Sequence, residues 1–71
     1  MTGYRDKKGR ILFVSSGISD GTIWMTVYYK PNGIGTKRLV SPALPIRKTR
    51  KEAEEDLERY ARARGFVLEV L

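Results

Sequence analysis

The alternation of residue types over residues 23–30 predicts a β-strand, because successive side chains of a strand point to opposite faces of a sheet. Its odd positions are apolar or aromatic: Ile23, Met25, Val27 and Tyr29. Its even positions mix two large rings with a hydroxyl and a cation: Trp24, Thr26, Tyr28 and Lys30. We therefore expect the odd face in the core and the even face in solvent. The opposite orientation, with Trp24 as a core anchor, stays open because a lone tryptophan is usually at least partly buried.

The dipeptide Asp20-Gly21 predicts a tight turn between this strand and an earlier one over residues 10–15. If these two residues form the whole loop, Val14 lies opposite Val27. A longer loop over residues 16–21 is the alternative.

A third strand is predicted over residues 36–41, after the turn sequence Pro31-Asn32-Gly33. Lys37 and Arg38 are adjacent in this strand, so they point to opposite faces. Only one of them can therefore share the even face of the preceding strand.

The helix signal is the strongest in the chain and covers residues 50–64. Thr49 and Glu52 have the spacing of a capping box, and Gly65 is a left-handed stop. Acidic residues fill the first turns and arginines the last, as the helix dipole favours. The apolar positions form one narrow stripe, which predicts packing of the helix on a sheet.

Residues 66–71 predict a short C-terminal strand, paired either at a sheet edge or with a second chain. Residues 1–9 hold few apolar positions and predict a flexible basic arm. The 71 residues thus form a single α+β domain over 1–71. Its expected architecture is a three-stranded antiparallel sheet packed against one C-terminal helix, with a short extra C-terminal strand (βββαβ).

The composition excludes several classes of chemistry. The chain has neither cysteine nor histidine, so it lacks a thiol nucleophile, the commonest general base and the usual transition-metal ligands. We therefore predict no enzymatic activity, no catalytic or metal-binding residues, no cofactor and no small-molecule substrate. No apolar run is long enough to span a membrane, and the N-terminal sequence has no signal-peptide pattern, so we expect no membrane partner and a cytoplasmic location.

The net charge of +6 is unevenly distributed. Residues 1–48 carry nine cations against two acids, whereas residues 49–71 carry five cations against six acids. Segregated positive charge beside aromatic rings is typical of a surface that binds a polyanion. The candidate nucleic-acid-binding residues are Arg10, Trp24, Tyr28, Lys30, Lys37 and Arg38.

Over residues 9–64 the chain resembles the arm-type DNA-binding domain at the N-terminus of phage and transposon tyrosine integrases. The resemblance rests on Trp24 in a strand, the turn at 31–35, the pair Lys37-Arg38 and a helix that opens Thr49-x-x-Glu52-Ala53. It implies that a three-stranded sheet enters the DNA major groove with the helix behind it. Groove-facing residues would then come from the candidate set, with Met25 as the alternative to Trp24.

The connector over 42–46 and the C-terminal strand depart from that family, and no catalytic recombinase domain follows, so we expect a stand-alone module of a mobile element or phage. The expected function is non-enzymatic binding of nucleic acid, DNA rather than RNA, by the basic sheet face in an accessory or regulatory role. One alternative is a protein–protein interaction or homodimerisation module that uses residues 66–71. A second is single-stranded RNA binding by stacking on Trp24 and Tyr28.

Overall fold

The computed structural model describes residues 2–16 and 21–70, which form one antiparallel sheet and one helix. The elements in chain order are β1 Thr2–Arg5, β2 Ile11–Ser15, β3 Met25–Tyr29, β4 Thr36–Arg38, α1 Arg50–Arg64 and β5 Val67–Val70. The strand order in the sheet is β4-β3-β2-β1-β5. The predicted α+β class is confirmed, but the sheet has five strands where three and a short addition were expected.

Strand β1 occupies the stretch that we predicted to be a flexible basic arm. Tyr4 lies opposite Leu12 of β2 on one side and opposite Leu68 of β5 on the other. A tight turn over residues 6–10 closes the β1–β2 hairpin through a 2.9 Å hydrogen bond from the Asp6 amide to the Arg10 carbonyl. The arm prediction was wrong because β1 is held by backbone pairing with two other strands, which its own weak apolar pattern does not reveal.

The predicted C-terminal strand is confirmed over Val67–Val70, and Leu71 lies outside the described residues. It pairs antiparallel with β1 and so forms one edge of the sheet. The sequence left open whether this strand pairs at a sheet edge or with a second chain. Within the chain it pairs at the sheet edge.

A two-residue loop at Asp20-Gly21 predicts that Val14 lies opposite Val27. The observed register between β2 and β3 differs from this prediction by one residue. Val14 lies opposite Thr26, and Phe13 lies opposite Val27. Asp20 itself lies outside the described residues, so its turn is not described. Side chains of a strand alternate between the two faces of the sheet. A register shift of one residue therefore places the other set of β3 side chains on the same face as Leu12 and Val14 of β2.

The helix packs on the even face of β3, together with Leu12 and Val14 of β2, so the expected orientation was wrong. The buried cluster beneath the helix consists of Leu12, Val14, Leu44, Ala53 and Leu57. Trp24 and Tyr28 pack against this cluster as partly buried side chains. We call this side the helix-covered face. The opposite side, the open face, carries Phe13, Val27, Tyr29 and Arg38.

The helix begins and ends where the sequence predicts. The Thr49 hydroxyl accepts a hydrogen bond from the Glu52 amide at 3.3 Å and donates one to the Glu52 carboxylate at 2.9 Å. Gly65 has φ of +69°, and the Phe66 amide donates to the Ala61 carbonyl at 3.0 Å. These caps satisfy backbone groups that the helix itself leaves unpaired.

Candidate nucleic-acid interface

The antiparallel topology brings two turns and the helix C-terminus to one end of the sheet. Leu12 near the start of β2 lies opposite Tyr28 near the end of β3, so the turn over 6–10 and the turn over 30–35 are on the same side. Arg5 lies opposite Val67, so the start of β5 and the end of α1 lie there too.

Asp6 fixes the shape of the turn over 6–10. One of its carboxylate oxygens accepts from the amides of Lys8 at 2.9 Å and Arg10 at 2.8 Å, and the other accepts from Arg10 Nε at 2.7 Å. Burial favours the neutral carboxyl, but these hydrogen bonds and the Arg10 charge outweigh it and lower the pKa of Asp6 below its ordinary value. The turn is thus held by an ionised, fully partnered carboxylate.

Arg10 connects this turn to the aromatic side chain of β3. Its guanidinium lies 4.5 Å from the centre of the Tyr28 ring, within cation–π range. Lys37 of β4 lies directly opposite Tyr28. The Lys30 amide, at the end of β3, donates to the Gly35 carbonyl at 3.2 Å, and by alternation Lys30 belongs to the same face as Tyr28.

Four lysines at this end have no acidic partner. Within residues 2–16 and 21–70 no ion pair involves Lys7, Lys8, Lys30 or Lys37, and all four side chains are exposed. Together with Arg10 and Arg64 they make up the surface that we call the basic end. Its only acid is Asp6, whose charge Arg10 already neutralises.

A cleft of about 460 Å³ opens between the turn over 6–10 and the end of α1. Its cationic wall carries Lys7, Lys8, Arg10 and Arg64 with Asp6, and its apolar wall carries Ala63 and Phe66. The Arg64 guanidinium lies 3.7 Å from the centre of the Tyr60 ring, and its Nη1 donates to the Tyr60 carbonyl at 3.5 Å. Tyr60 also meets Phe66 edge-on, with ring centres 5.9 Å apart.

At the helix N-terminal end, by contrast, the arginines are paired. Arg47 Nε and Nη2 donate to the two carboxylate oxygens of buried Asp56 at 2.7 and 3.2 Å, and Arg50 lies 3.8 Å from Glu54. The hydrogen bond from Arg47 chiefly lowers the pKa of Asp56, against the effect of burial, and the charges of Arg47 and Arg59 act in the same direction. This network ties the connector before α1 to the helix.

Of the six predicted site residues, four lie together and two do not. Arg10, Tyr28, Lys30 and Lys37 share the helix-covered face at the basic end. Trp24 lies at the other end, where its Nε1 donates to the Gly21 carbonyl at 3.0 Å and Arg50 lies 5.9 Å from its ring centre.

Arg38 lies on the open face, opposite Val27. Its Nε is buried and finds no acceptor among the residues that the structure describes. Around it the open face is largely apolar and aromatic, with Phe13 and Tyr29 ring centres 5.0 Å apart. Arg5, the other cation described on this face, is paired with Glu69 at 2.7 Å.

The candidate residues from the sequence do not include Lys7, Lys8 or Arg64, which also lie at the basic end. The run Asp6-Lys7-Lys8-Gly9 was assigned to an arm, although an Asp followed by a Gly three residues later is typical of a turn. Recognising that turn would have placed Lys7 and Lys8 at the end of a hairpin. Arg64 had no such signal, because only the fold brings the end of α1 beside this turn.

Comparisons of the chain with protein-family models, with curated proteins and with solved structures found no match. Among the described residues, no helix has the length and apolar character needed to cross a membrane. In the same part of the chain, no three carboxylates come close enough together to hold a metal ion.

Proposed function

We propose that this protein binds nucleic acid, duplex DNA in preference to RNA, through the basic end, as a non-enzymatic accessory or regulatory module. The observation that carries the proposal is the set of four exposed lysines that have no acidic partner in residues 2–16 and 21–70: Lys7, Lys8, Lys30 and Lys37. Lysines that are not neutralised by the protein are available to displace counterions from phosphates.

The spacing of the two turns suits a duplex. The turn over 6–10 joins β1 to β2, and the turn over 30–35 joins β3 to β4, so their centres are two strand spacings apart, about 10 Å. The major groove of B-DNA is about 12 Å wide. Lysines on the two turns can therefore meet the two phosphate backbones that border one groove, which gives affinity with limited sequence preference.

Two observations favour this arrangement over single-stranded RNA binding by stacking. Trp24 is partly buried against the core, and Arg10 covers one side of the Tyr28 ring. Neither ring is an open stacking platform, so phosphate contacts carry the binding.

The proposal also departs from docking of the open face in the major groove, which the integrase resemblance implies. Of the residues named for that role, only Met25 and Arg38 belong to the open face. The described part of this face has one arginine in an ion pair and one with a buried, unpaired Nε. Its sparse charge favours the basic end as the DNA-binding surface.

The test is fluorescence anisotropy with labelled 20-base-pair duplex DNA, single-stranded DNA and single-stranded RNA over a salt series. With about four phosphate contacts, affinity for duplex should fall about 10²-fold between 50 and 200 mM salt. A Lys7→Gln/Lys8→Gln variant should lower the slope of log K against log salt by about 1.8. The control Lys48→Gln/Lys51→Gln removes the same charge from exposed lysines near the helix N-terminus and should leave the slope unchanged. Absence of binding to all three probes at low salt would refute the proposal.

Homodimerisation through β5 is the second candidate function, and a specific observation favours it. Strand β5 has a free outer edge in the described sheet and exposes Val67 (62%), Leu68 (57%) and Val70 (81%). Such an edge is a template for antiparallel pairing with another copy. Sedimentation equilibrium should then show a dimer that Val70→Lys weakens at least tenfold. A monomer at millimolar concentration would exclude this candidate.

A further inference from the structure

We propose that the cleft between the turn over 6–10 and the end of α1 binds one unpaired nucleotide. Its base would lie against Phe66 and Ala63, and its phosphate would lie among Lys7, Lys8 and Arg64. The inference deepens the proposed function and rests on it, because the same cations border both the cleft and the duplex-binding surface.

The size of the cleft and the hydrogen bonds in its walls suit a small ligand. Its volume of about 460 Å³ falls in the range of sites for small molecules, 300–1,000 Å³. One wall is the turn that Asp6 holds with three hydrogen bonds, and the other is the capped end of α1. The backbone of both walls is held by these hydrogen bonds, so the ordering cost of binding falls on the side chains of Lys7, Lys8 and Arg64.

The apolar wall determines which part of a ligand it meets. Phe66 is half-buried and is held edge-on by Tyr60, while Ala63 is small and leaves space beside it. A planar base can cover such a ring, and stacking on an aromatic side chain tolerates any base.

The cationic wall determines the charge of the ligand. Lys7 and Lys8 are exposed and without an acidic partner among the described residues, and Arg64 lies against the Tyr60 ring and donates to the Tyr60 carbonyl. Asp6 is the only acid in the wall, and Arg10 neutralises it. An anionic ligand is therefore favoured. A ligand that joins an anionic group to a planar ring can contact the cationic wall and the apolar wall at the same time.

The nucleotide must be unpaired, because a base inside a duplex has no free face. A duplex that ends in a single-stranded overhang has both parts of such a ligand. Its duplex phosphates can contact the basic end, and a base of its overhang can enter the cleft. We expect a duplex with a three-nucleotide overhang to bind at least fivefold more tightly than the blunt duplex of the same sequence.

The experiment measures the ratio of the affinity for the overhang duplex to the affinity for the blunt duplex. It compares this ratio in the unmodified chain and in two variants. Ala63→Leu fills the cleft without changing charge and should reduce the ratio to about one. Ala43→Leu, at an exposed alanine of the connector, should keep it. Deoxyadenosine monophosphate, deoxyadenosine and inorganic phosphate are titrated separately, with amide chemical shifts of residues 6–10 and 63–66 as the readout.

The outcomes separate the two proposals. Binding of the mononucleotide at least tenfold more tightly than either deoxyadenosine or phosphate, together with loss of the ratio in Ala63→Leu, supports the nucleotide site. Equal binding of inorganic phosphate and mononucleotide overturns it, since the base then contributes nothing. Blunt duplex binding with a ratio of one in the unmodified chain overturns the nucleotide site and leaves the duplex proposal standing. Absence of binding by any duplex overturns both.

Discussion

The two ends of the helix-covered face hold similar cations in opposite electrostatic situations. Residues 47–56 carry four cations and four acids, and Arg47 and Arg50 are paired with acids of α1. Residues 5–10 and 30–38 together carry seven cations and one acid. At the first end Arg47 ties the connector to the helix, and four acids balance the four cations, which include the exposed Lys48 and Lys51; the seven cations at the second end have one acid among them. The local balance of cations and acids, more than the presence of cations, thus distinguishes the two ends.

The largest expected effect is a charge reversal at the basic end. Lys30→Glu/Lys37→Glu should weaken duplex DNA binding about 10²-fold at 100 mM salt, because two phosphate contacts become repulsive. Anisotropy measures the loss. The matched variant Lys48→Glu/Lys51→Glu should change affinity less than threefold. Equal losses in the two variants would mean that net charge, rather than the basic end, governs binding.

Removal of a paired charge should affect stability instead. Asp56→Asn removes the negative charge and one of the two oxygens that accept from Arg47 and Arg59, and we expect the free energy of unfolding to fall by about 1–3 kcal/mol. Urea unfolding followed by Trp24 emission measures it. Glu55→Gln, an exposed carboxylate outside the described ion pairs, should change stability by less than about 0.5 kcal/mol. DNA affinity should stay the same in both variants. A change of DNA affinity in Asp56→Asn alone would mean that the ion pairs at the helix N-terminal end influence binding at the basic end.

The same carboxylates predict how stability depends on pH. The folded-state pKa values of Asp6 and Asp56 are both lowered, so each contributes stability above its unfolded pKa of about 3.9. That contribution is lost as the pH falls through the lower folded values. Urea midpoints should therefore be flat from pH 5 to 7, since the chain has no histidine, and should fall below about pH 4. Asp56→Asn should reduce this acid sensitivity, and an unchanged pH profile would contradict the assignment.

A smaller stability effect is expected at the helix N-terminus. Thr49→Ala removes the oxygen that accepts from the Glu52 amide and should cost about 1 kcal/mol. Thermal unfolding monitored by circular dichroism measures the change. Thr22→Ala, at an exposed position outside the helix, is the control and should be nearly neutral. If both variants are neutral, the cap contributes nothing to stability.

The smallest expected effect distinguishes DNA binding by the open face from DNA binding by the basic end. Arg38→Gln should change duplex affinity less than twofold if the basic end binds DNA. If the open face entered the major groove, as the integrase resemblance implies, the same change should cost tenfold or more and relax sequence preference. Affinity measured on several duplex sequences separates the two arrangements.

The helix could be predicted almost to the residue because its signals are local. The Thr49 cap, the acidic first turns and the Gly65 stop act within a few residues of the atoms that they satisfy. The strands at 11–15, 25–29 and 67–70 were likewise found from composition, with only their ends adjusted.

Which face of the sheet is buried was decided by tertiary structure alone. Residues 23–30 carry large apolar groups on both faces, so burial of either was chemically reasonable, and the helix packs on the face that Trp24 and Tyr28 share with Leu12 and Val14 of β2. Strand β1 depended in the same way on partners from β2 and from β5, more than 60 positions away. Four of the six predicted site residues, Arg10, Tyr28, Lys30 and Lys37, lie together at the basic end although they are spread over residues 10–37 of the sequence. Lys7, Lys8 and Arg64 join them because antiparallel pairing brings separate turns to one end, and no local pattern encodes that proximity.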